Sequence, residues 1–263
     1  MIDIFYVSIL LGSVSGLLAG LFGIGGGLVI VPVLVVLFKA QGFSAELIML
    51  MAVATSLAII IITAIASVLA HHRLGSVVWT KVLSLSPGII IGAAIGAVIA
   101  KQINPDTLRY IIVVFLIYVA IQMAFQMKPK LDHVKQSKTL DWLVAIIIGL
   151  LSSIVGIGGG TLTVPYLVSG QMQMHKAVAV SSACGLPIAL SGTLSYALLG
   201  WSALHLPEWS VGYVYLPVFL ATGLISVVTA PIGAKLAHKL PATKLKRYFS
   251  LLLFVMAAKL MWY

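Results

Sequence analysis

The chain has 263 residues, of which 61% are hydrophobic and 8% charged, with a formal net charge of +10. Soluble domains carry about 25% charged and roughly 45–50% apolar residues, so a water-soluble globule is excluded and the chain belongs in a lipid bilayer. The basic excess lies in connections between apolar runs and forms no stripe interleaved with aromatics, which speaks for anionic lipid and against nucleic acid. Cys184 is the only cysteine, leaving no intrachain disulfide and no thiolate metal cluster.

The N-terminal apolar stretch is preceded only by Asp3 and has no basic n-region, so it is expected to remain in the mature protein. It extends from Ile4 to Phe38, too long for one straight span of about 20 residues. Gly23-Ile24-Gly25-Gly26-Gly27 interrupts it. An interior glycine costs about 1 kcal/mol against alanine, so three in succession predict a helix break. Full spans follow at Leu47 to Ala70, Val77 to Ala100 and Leu108 to Met127. A polar connection, Lys128 to Asp141, leads to a second interrupted segment from Trp142 to Val168, broken at Gly156-Ile157-Gly158-Gly159-Gly160. Three more spans are expected at Ala177 to Gly200, Val211 to Ala234 and Leu245 to Met261.

The two interrupted segments are copies. The phrase from Gly16 to Leu34 returns 133 residues later as Gly149 to Leu167, with Pro32 and Pro165 each five residues after the last glycine. Weaker parallels are Thr55-Ser56 beside Ser181-Ser182, and Ile95-Gly96-Ala97 beside Ile232-Gly233-Ala234. The duplication divides the chain into repeats over 1–127 and 142–263 with a linker over 128–141. Paired Gly/Pro interruptions at matching positions of two halves point to the binding site of a secondary transporter.

Basic residues decide how the interrupted segments lie. If each crosses once, there are eight spans and the Lys/Arg split is seven against nine. If each is a hairpin turning at its glycines, twelve of the sixteen gather on one face and only Lys39, Lys101, Arg109 and Lys259 remain on the other. The positive-inside rule favours the hairpin, with the linker cytoplasmic and both termini outside. Each half is then a Gly-broken hairpin plus three transmembrane helices. Its odd number of crossings makes the repeats inverted. The expected fold is therefore an all-α, polytopic integral membrane protein of two inverted repeats.

The glycine turns are the candidate site. Glycine admits positive φ and lets a ligand approach the backbone; successive N–H groups form an anion nest, and a helix starting afterwards adds its positive dipole end. The candidate residues are Gly23, Gly25, Gly26, Gly27 and Pro32, then Gly156, Gly158, Gly159, Gly160 and Pro165, whose prolines are expected to bend or end the returning arm. Thr161 and Thr163 add hydroxyls where the first copy has Leu28 and Ile30. Thr55, Ser56, Ser181 and Ser182, expected near the starts of their spans, would face the turns. The competing reading has the glycines serving helix packing alone and these hydroxyls bonded to i−4 carbonyls. A nucleotide loop is set aside, because the dinucleotide fingerprint is incomplete and no Gly-Lys-Ser/Thr follows.

His71, His72 and Arg73, like His175, Lys176, Trp201, His205 and Trp209, read first as interfacial anchors. Gln122 and Gln126 share a helix face and would bond another helix or line a cavity. The six carboxylates fall at ends of apolar runs or in connections, so no mid-membrane acid offers a proton or sodium site. Hydroxyls and backbone amides instead suit an anion, with any coupling proton or sodium ion left to carbonyls or a histidine. No nucleophile with its base, metal set or acid pair appears at membrane depth, so no enzyme and no cofactor are expected. An anion channel and a non-transporting scaffold are the alternatives.

The duplicated Gly-x-Gly-Gly-Gly followed by Val-Pro, Ala54-Thr55-Ser56 and Gly75-Ser76-Val77-Val78-Trp79 resemble the sulfite exporter TauE/SafE family, also called 4-toluene sulfonate uptake permeases. The resemblance covers nearly the whole chain. It implies movement of small sulfur-containing anions such as sulfite, sulfoacetate or other sulfonates across a prokaryotic inner membrane. It leaves the particular anion, the direction and the oligomeric state open.

Overall fold

A computed structural model of the protein describes residues 2–22, 26–125, 138–237 and 242–262. The two interrupted segments form paired helices, α1 (Ile2–Phe22) with α2 (Gly27–Ala40) and α6 (Lys138–Val155) with α7 (Gly160–Ser169). Long helices α3 (Ala45–Arg73), α4 (Trp79–Gln102) and α5 (Pro105–Ala124) follow the first pair, and α8 (Met174–Leu199), α9 (Leu216–Ala237) and α10 (Ala242–Met261) the second. Among the described residues five helices are long and apolar enough to cross a membrane: α3, α4, α5, α8 and α9 as far as Leu236. The chain is thus an all-α, multi-pass membrane protein. The span expected from Val211 begins instead at Leu216, because Ser210–Val211 (β1) and Val214–Tyr215 (β2) form a two-stranded antiparallel ribbon.

Local chemistry sets the ends. Asn104 caps α5 by accepting from the Asp106 N–H at 2.9 Å, with Pro105 at the first helical position. α2 and α3 both close in Schellman motifs on positive-φ glycines. Phe43 N–H reaches the Phe38 carbonyl and Ser76 N–H the His71 carbonyl, each at 3.1 Å. The apolar contact that accompanies such a cap is the Phe38–Phe43 stack, with centroids 5.1 Å apart. Pro32 and Pro165 end neither arm: α2 continues eight residues past its proline to Ala40, and α7 four to Ser169. Each proline still removes the donor to the carbonyl four residues earlier, that of Leu28 or Thr161.

Small residues bring the longest contacts together. Gly12, Gly16 and Gly20 of α1 lie against Thr222, Ser226 and Ala230 of α9, in rising order, so the two helices run parallel. Gly88, Gly92 and Gly96 of α4 lie likewise against Trp142, Ile146 and Leu150 of α6. Without a hydrophobic drive between helices in lipid, such close backbone approach is what holds them. α3 and α8 run antiparallel: Ser67 meets Ser182, Ala64 nears Gly185 and Leu57 nears Gly192. Substituting Gly92 by leucine would drive a side chain into the Ile146 backbone, 2.8 Å from its carbonyl carbon at the Cβ alone. Loss of the monodisperse detergent-solubilised protein is expected, overpacking of this kind costing about 1–3 kcal/mol or more, read by size exclusion and melting temperature.

These contacts define two ends of the bundle. Lys39, the Phe38–Phe43 stack and Tyr215 stand at one, together with Lys101, whose Nζ donates to the Leu199 carbonyl at 3.0 Å. Arg73, Lys81 and Lys176 stand at the other, where α3 ends and α4, α6 and α8 begin.

Candidate functional site

Both glycine segments reverse the chain inside the bundle. Gly26 takes φ 76° and Gly159 φ 75°, the left-handed region that glycine enters without strain, and each starts the returning arm as its N-cap. A Cβ at Gly26 would lie 2.7 Å from the carbonyl oxygen of Ser15, eleven residues back, so the chain has folded onto itself as a hairpin. Gly23 and Gly25 lie outside the described residues.

The two turns meet. A Cβ on Gly27 would strike the Gly156 carbonyl oxygen and stand 2.8 Å from Ile157 Cα and 3.1 Å from the Ile60 side chain, midway along α3. Gly158 faces Gly185 of α8, its carbonyl oxygen 3.2 Å from where a Cβ there would sit. Gly156 to Gly160 are all buried.

The flanking hydroxyls divide into engaged and unengaged. Ser56 donates to the Gly156 carbonyl at 2.8 Å, as expected of a residue facing the turn. Thr55 instead accepts the Tyr215 N–H at 3.0 Å and ties α3 to the ribbon. Ser182 accepts from Ser67 at 3.3 Å, and Ser181 is fully buried. These residues lie well inside their helices, Thr55 eleventh in α3 and Ser181 eighth in α8, so their expected placement near span starts is corrected.

Ser152, Ser153, Thr161 and Thr163 are at most 6% exposed, and their hydroxyls have no hydrogen-bond partner among the described residues. Two of these converge: Ser152 Oγ and Thr163 Oγ1 each lie 3.4 Å from the point a Cβ on Gly159 would occupy. Ser153 faces Gly192 of α8 at 3.3 Å while its carbonyl accepts from Tyr196 at 3.1 Å. A buried hydroxyl without a partner costs about 1–3 kcal/mol, so the cluster is suited to a ligand that accepts from it. The Leu162 and Thr163 N–H groups donate to the Gly159 carbonyl at 3.0 and 2.8 Å, so the start of α7 offers this region its positive dipole end and the N–H groups of Gly160 and Thr161.

The sequence reading singled out Thr161 and Thr163 but missed Ser152 and Ser153. Their signal is a departure within the repeat, Ser-Ser in the second copy where the first has Ala19-Gly20. It also missed that Asp141, at 6% exposure, is a buried acid near the start of α6, paired with Lys81. His71 is no interfacial anchor: it is 1% exposed, with Nε2 3.3 Å from the Gly20 carbonyl. His72 remains at the surface, its Nδ1 accepting from Trp79 Nε1 at 3.2 Å. Gln126 lies outside the described residues. Among the described residues no three His, Cys, Asp or Glu side chains are grouped to hold a metal ion.

Multiple apolar spans around two buried, helix-breaking turns define a polytopic membrane protein of the transporter class. The model of the Sulfite exporter TauE/SafE family matches residues 8–260, and the chain belongs to that family. It is 38% identical over 250 residues to a probable membrane transporter protein of Haemophilus influenzae, covering 95% of both chains. A probable membrane transporter protein of Methanocaldococcus jannaschii is 27% identical over 94% of this chain and 92% of its own. Bacillus subtilis YunE, also a probable membrane transporter protein, is 27% identical over 74% of this chain and 79% of its own. No solved structure matches.

Proposed function

We propose that the protein is a secondary transporter moving small anions, sulfite, sulfoacetate or other sulfonates first among them, across the cytoplasmic membrane of a prokaryote by alternating access. The observation that carries this reading is the pair of buried, unpartnered hydroxyls of Ser152 and Thr163 converging on Gly159 at the start of α7. Neutral donors beside a helix N-terminus favour an anion. No fixed countercharge stands among them, which suits a carrier that must release what it binds. The sulfur chemistry rests on the family, and the prokaryotic membrane on the organisms of its relatives. Thr161, Ser153 and the turn glycines Gly156, Gly158, Gly159 and Gly160 complete the binding region, opposed by Gly26, Gly27 and Ser56.

The two halves, 1–127 and 142–263, act as inverted repeats joined by a cytoplasmic linker over 128–141. Support comes from the antiparallel course of α3 and α8, which hold equivalent places in the two halves. Parallel pairing of α1 with α9 and of α6 with α4 is the exchange such symmetry produces. Near-complete burial of the site favours an occluded carrier over an open channel. A coupling proton or sodium ion would fall to carbonyls such as that of Thr161, freed by Pro165.

The test is purified protein in proteoliposomes challenged separately with sulfite, thiosulfate and sulfoacetate. Saturable flux with counterflow of at least one anion is expected. Folded protein that moves none would sink the reading, and unsaturable flux without counterflow would replace it with a channel.

A further inference from the structure

Lys81, Asp141 and Tyr166 form a polar cluster, Asp141 buried and the other two half-buried, at the end of the bundle where α4 and α6 begin. Lys81 Nζ donates to both carboxylate oxygens of Asp141, at 2.8 and 2.7 Å, and Tyr166 donates to Oδ1 of the same group. The two charged side chains are only 14% and 9% exposed. The ammonium lies 5.8 Å from the centre of the Tyr166 ring.

The cluster has no counterpart in the first half. The repeat places Ser8 where the second half has Asp141, Val33 where it has Tyr166, and Val218 opposite Lys81, and the same helix pairing forms without it. A buried ion pair is a poor source of stability, since desolvation offsets its attraction. Its position suggests a use. Tyr166 is three residues beyond Thr163, on the same face of α7 and roughly 5 Å further along its axis. Asp141 lies eleven residues before Ser152 on α6, roughly 16 Å along its axis, so the cluster stands between the unpartnered hydroxyls and the linker end of the bundle.

We propose that Lys81 is a second station for the transported anion, and that Asp141 is its resident occupant, displaced when the anion arrives. A carboxylate presents two oxygens on one edge to the ammonium, and a sulfite or sulfonate presents the same edge, so the exchange preserves both Lys81 hydrogen bonds and the Tyr166 donation. The displaced Asp141 lies in the first turn of α6, where the helix dipole favours a carboxylate. The ammonium is thus never left bare, which lets a strong cation serve a carrier that must also release.

This proposal rests on the anion-transport reading. It is tested with sulfite flux into proteoliposomes for wild type, Asp141→Asn, and the doubly neutral Lys81→Gln/Asp141→Asn, which leaves no unpaired buried charge. Asp141→Asn removes the competitor, so KM should fall about tenfold and maximal flux fall with it. The double variant should raise KM about tenfold or more while keeping the wild-type size-exclusion profile. Wild-type flux with an unchanged KM in the double variant overturns the station alone. Absence of flux in wild type for every anion overturns the transport reading and the station with it. Should the double variant fail to fold, a KM of Asp141→Asn at or above the wild-type value overturns the station.

Discussion

Gly159→Ala is expected to reduce anion flux about a hundredfold or more while leaving a folded, membrane-inserted protein. Three effects meet at this atom. A non-glycine residue at φ 75° carries left-handed strain of about 1–2 kcal/mol. The new methyl would lie 2.5 Å from Ile188 Cδ1, the movable tip of a side chain. It would also occupy the point 3.4 Å from both Ser152 Oγ and Thr163 Oγ1, the space between the two unpartnered hydroxyls. The first two effects act on stability and the third on binding. Adding Ile188→Val, which deletes the clashing Cδ1, separates them: Gly159→Ala/Ile188→Val should regain the part of the melting temperature lost to the clash, keep the part lost to backbone strain, and regain little of the flux. Recovery of flux along with stability would show that the glycine serves packing alone.

Thr163→Val should move stability and activity in opposite directions. Thr163 Oγ1 is fully buried without a partner among the described residues, and replacing it by a methyl of the same shape removes a desolvation cost of about 1–3 kcal/mol. At about 2–4 °C for each kcal/mol, the ligand-free protein should melt several degrees higher. If the hydroxyl donates to a bound anion, a charge-assisted hydrogen bond of about 1.5–3 kcal/mol is lost, so KM should rise roughly 10- to 150-fold. A merely structural hydroxyl would move only the melting temperature. Ser56→Ala should behave differently, because that hydroxyl already donates to the Gly156 carbonyl and its loss destabilises the turn. A higher Thr163→Val melting temperature with an unchanged KM would remove this residue from the binding region.

Much of the architecture is legible in the chain itself. Apolar runs of bilayer length place α3, α4, α5, α8 and α9 to within a few residues, except where the Ser210–Tyr215 ribbon delays α9. Steric cost alone predicts the breaks at both glycine triplets, and the reversal at Gly26 agrees with the hairpin drawn from the basic residues. The prolines, expected to bend or end the returning arms, end neither of them. A proline near the start of a short helix loses one hydrogen bond, and the surrounding helices hold the remainder of the arm in place.

The sequence by itself determined that this is a multi-pass membrane protein, where its helices break, that it is duplicated, and that its second copy is the more polar. Those properties follow from hydropathy, backbone sterics and repetition, all local along the chain. Only the tertiary structure decided which polar groups are engaged. Thr55 is taken by Tyr215, 160 residues away, Ser56 by Gly156 at a separation of 100, and Asp141 by Lys81 at 60. A hydroxyl or carboxylate in a low-dielectric interior bonds to whatever partner the packing of distant helices delivers. The same packing leaves Ser152 and Thr163 on either side of the Gly159 position with no partner among the described residues to receive them.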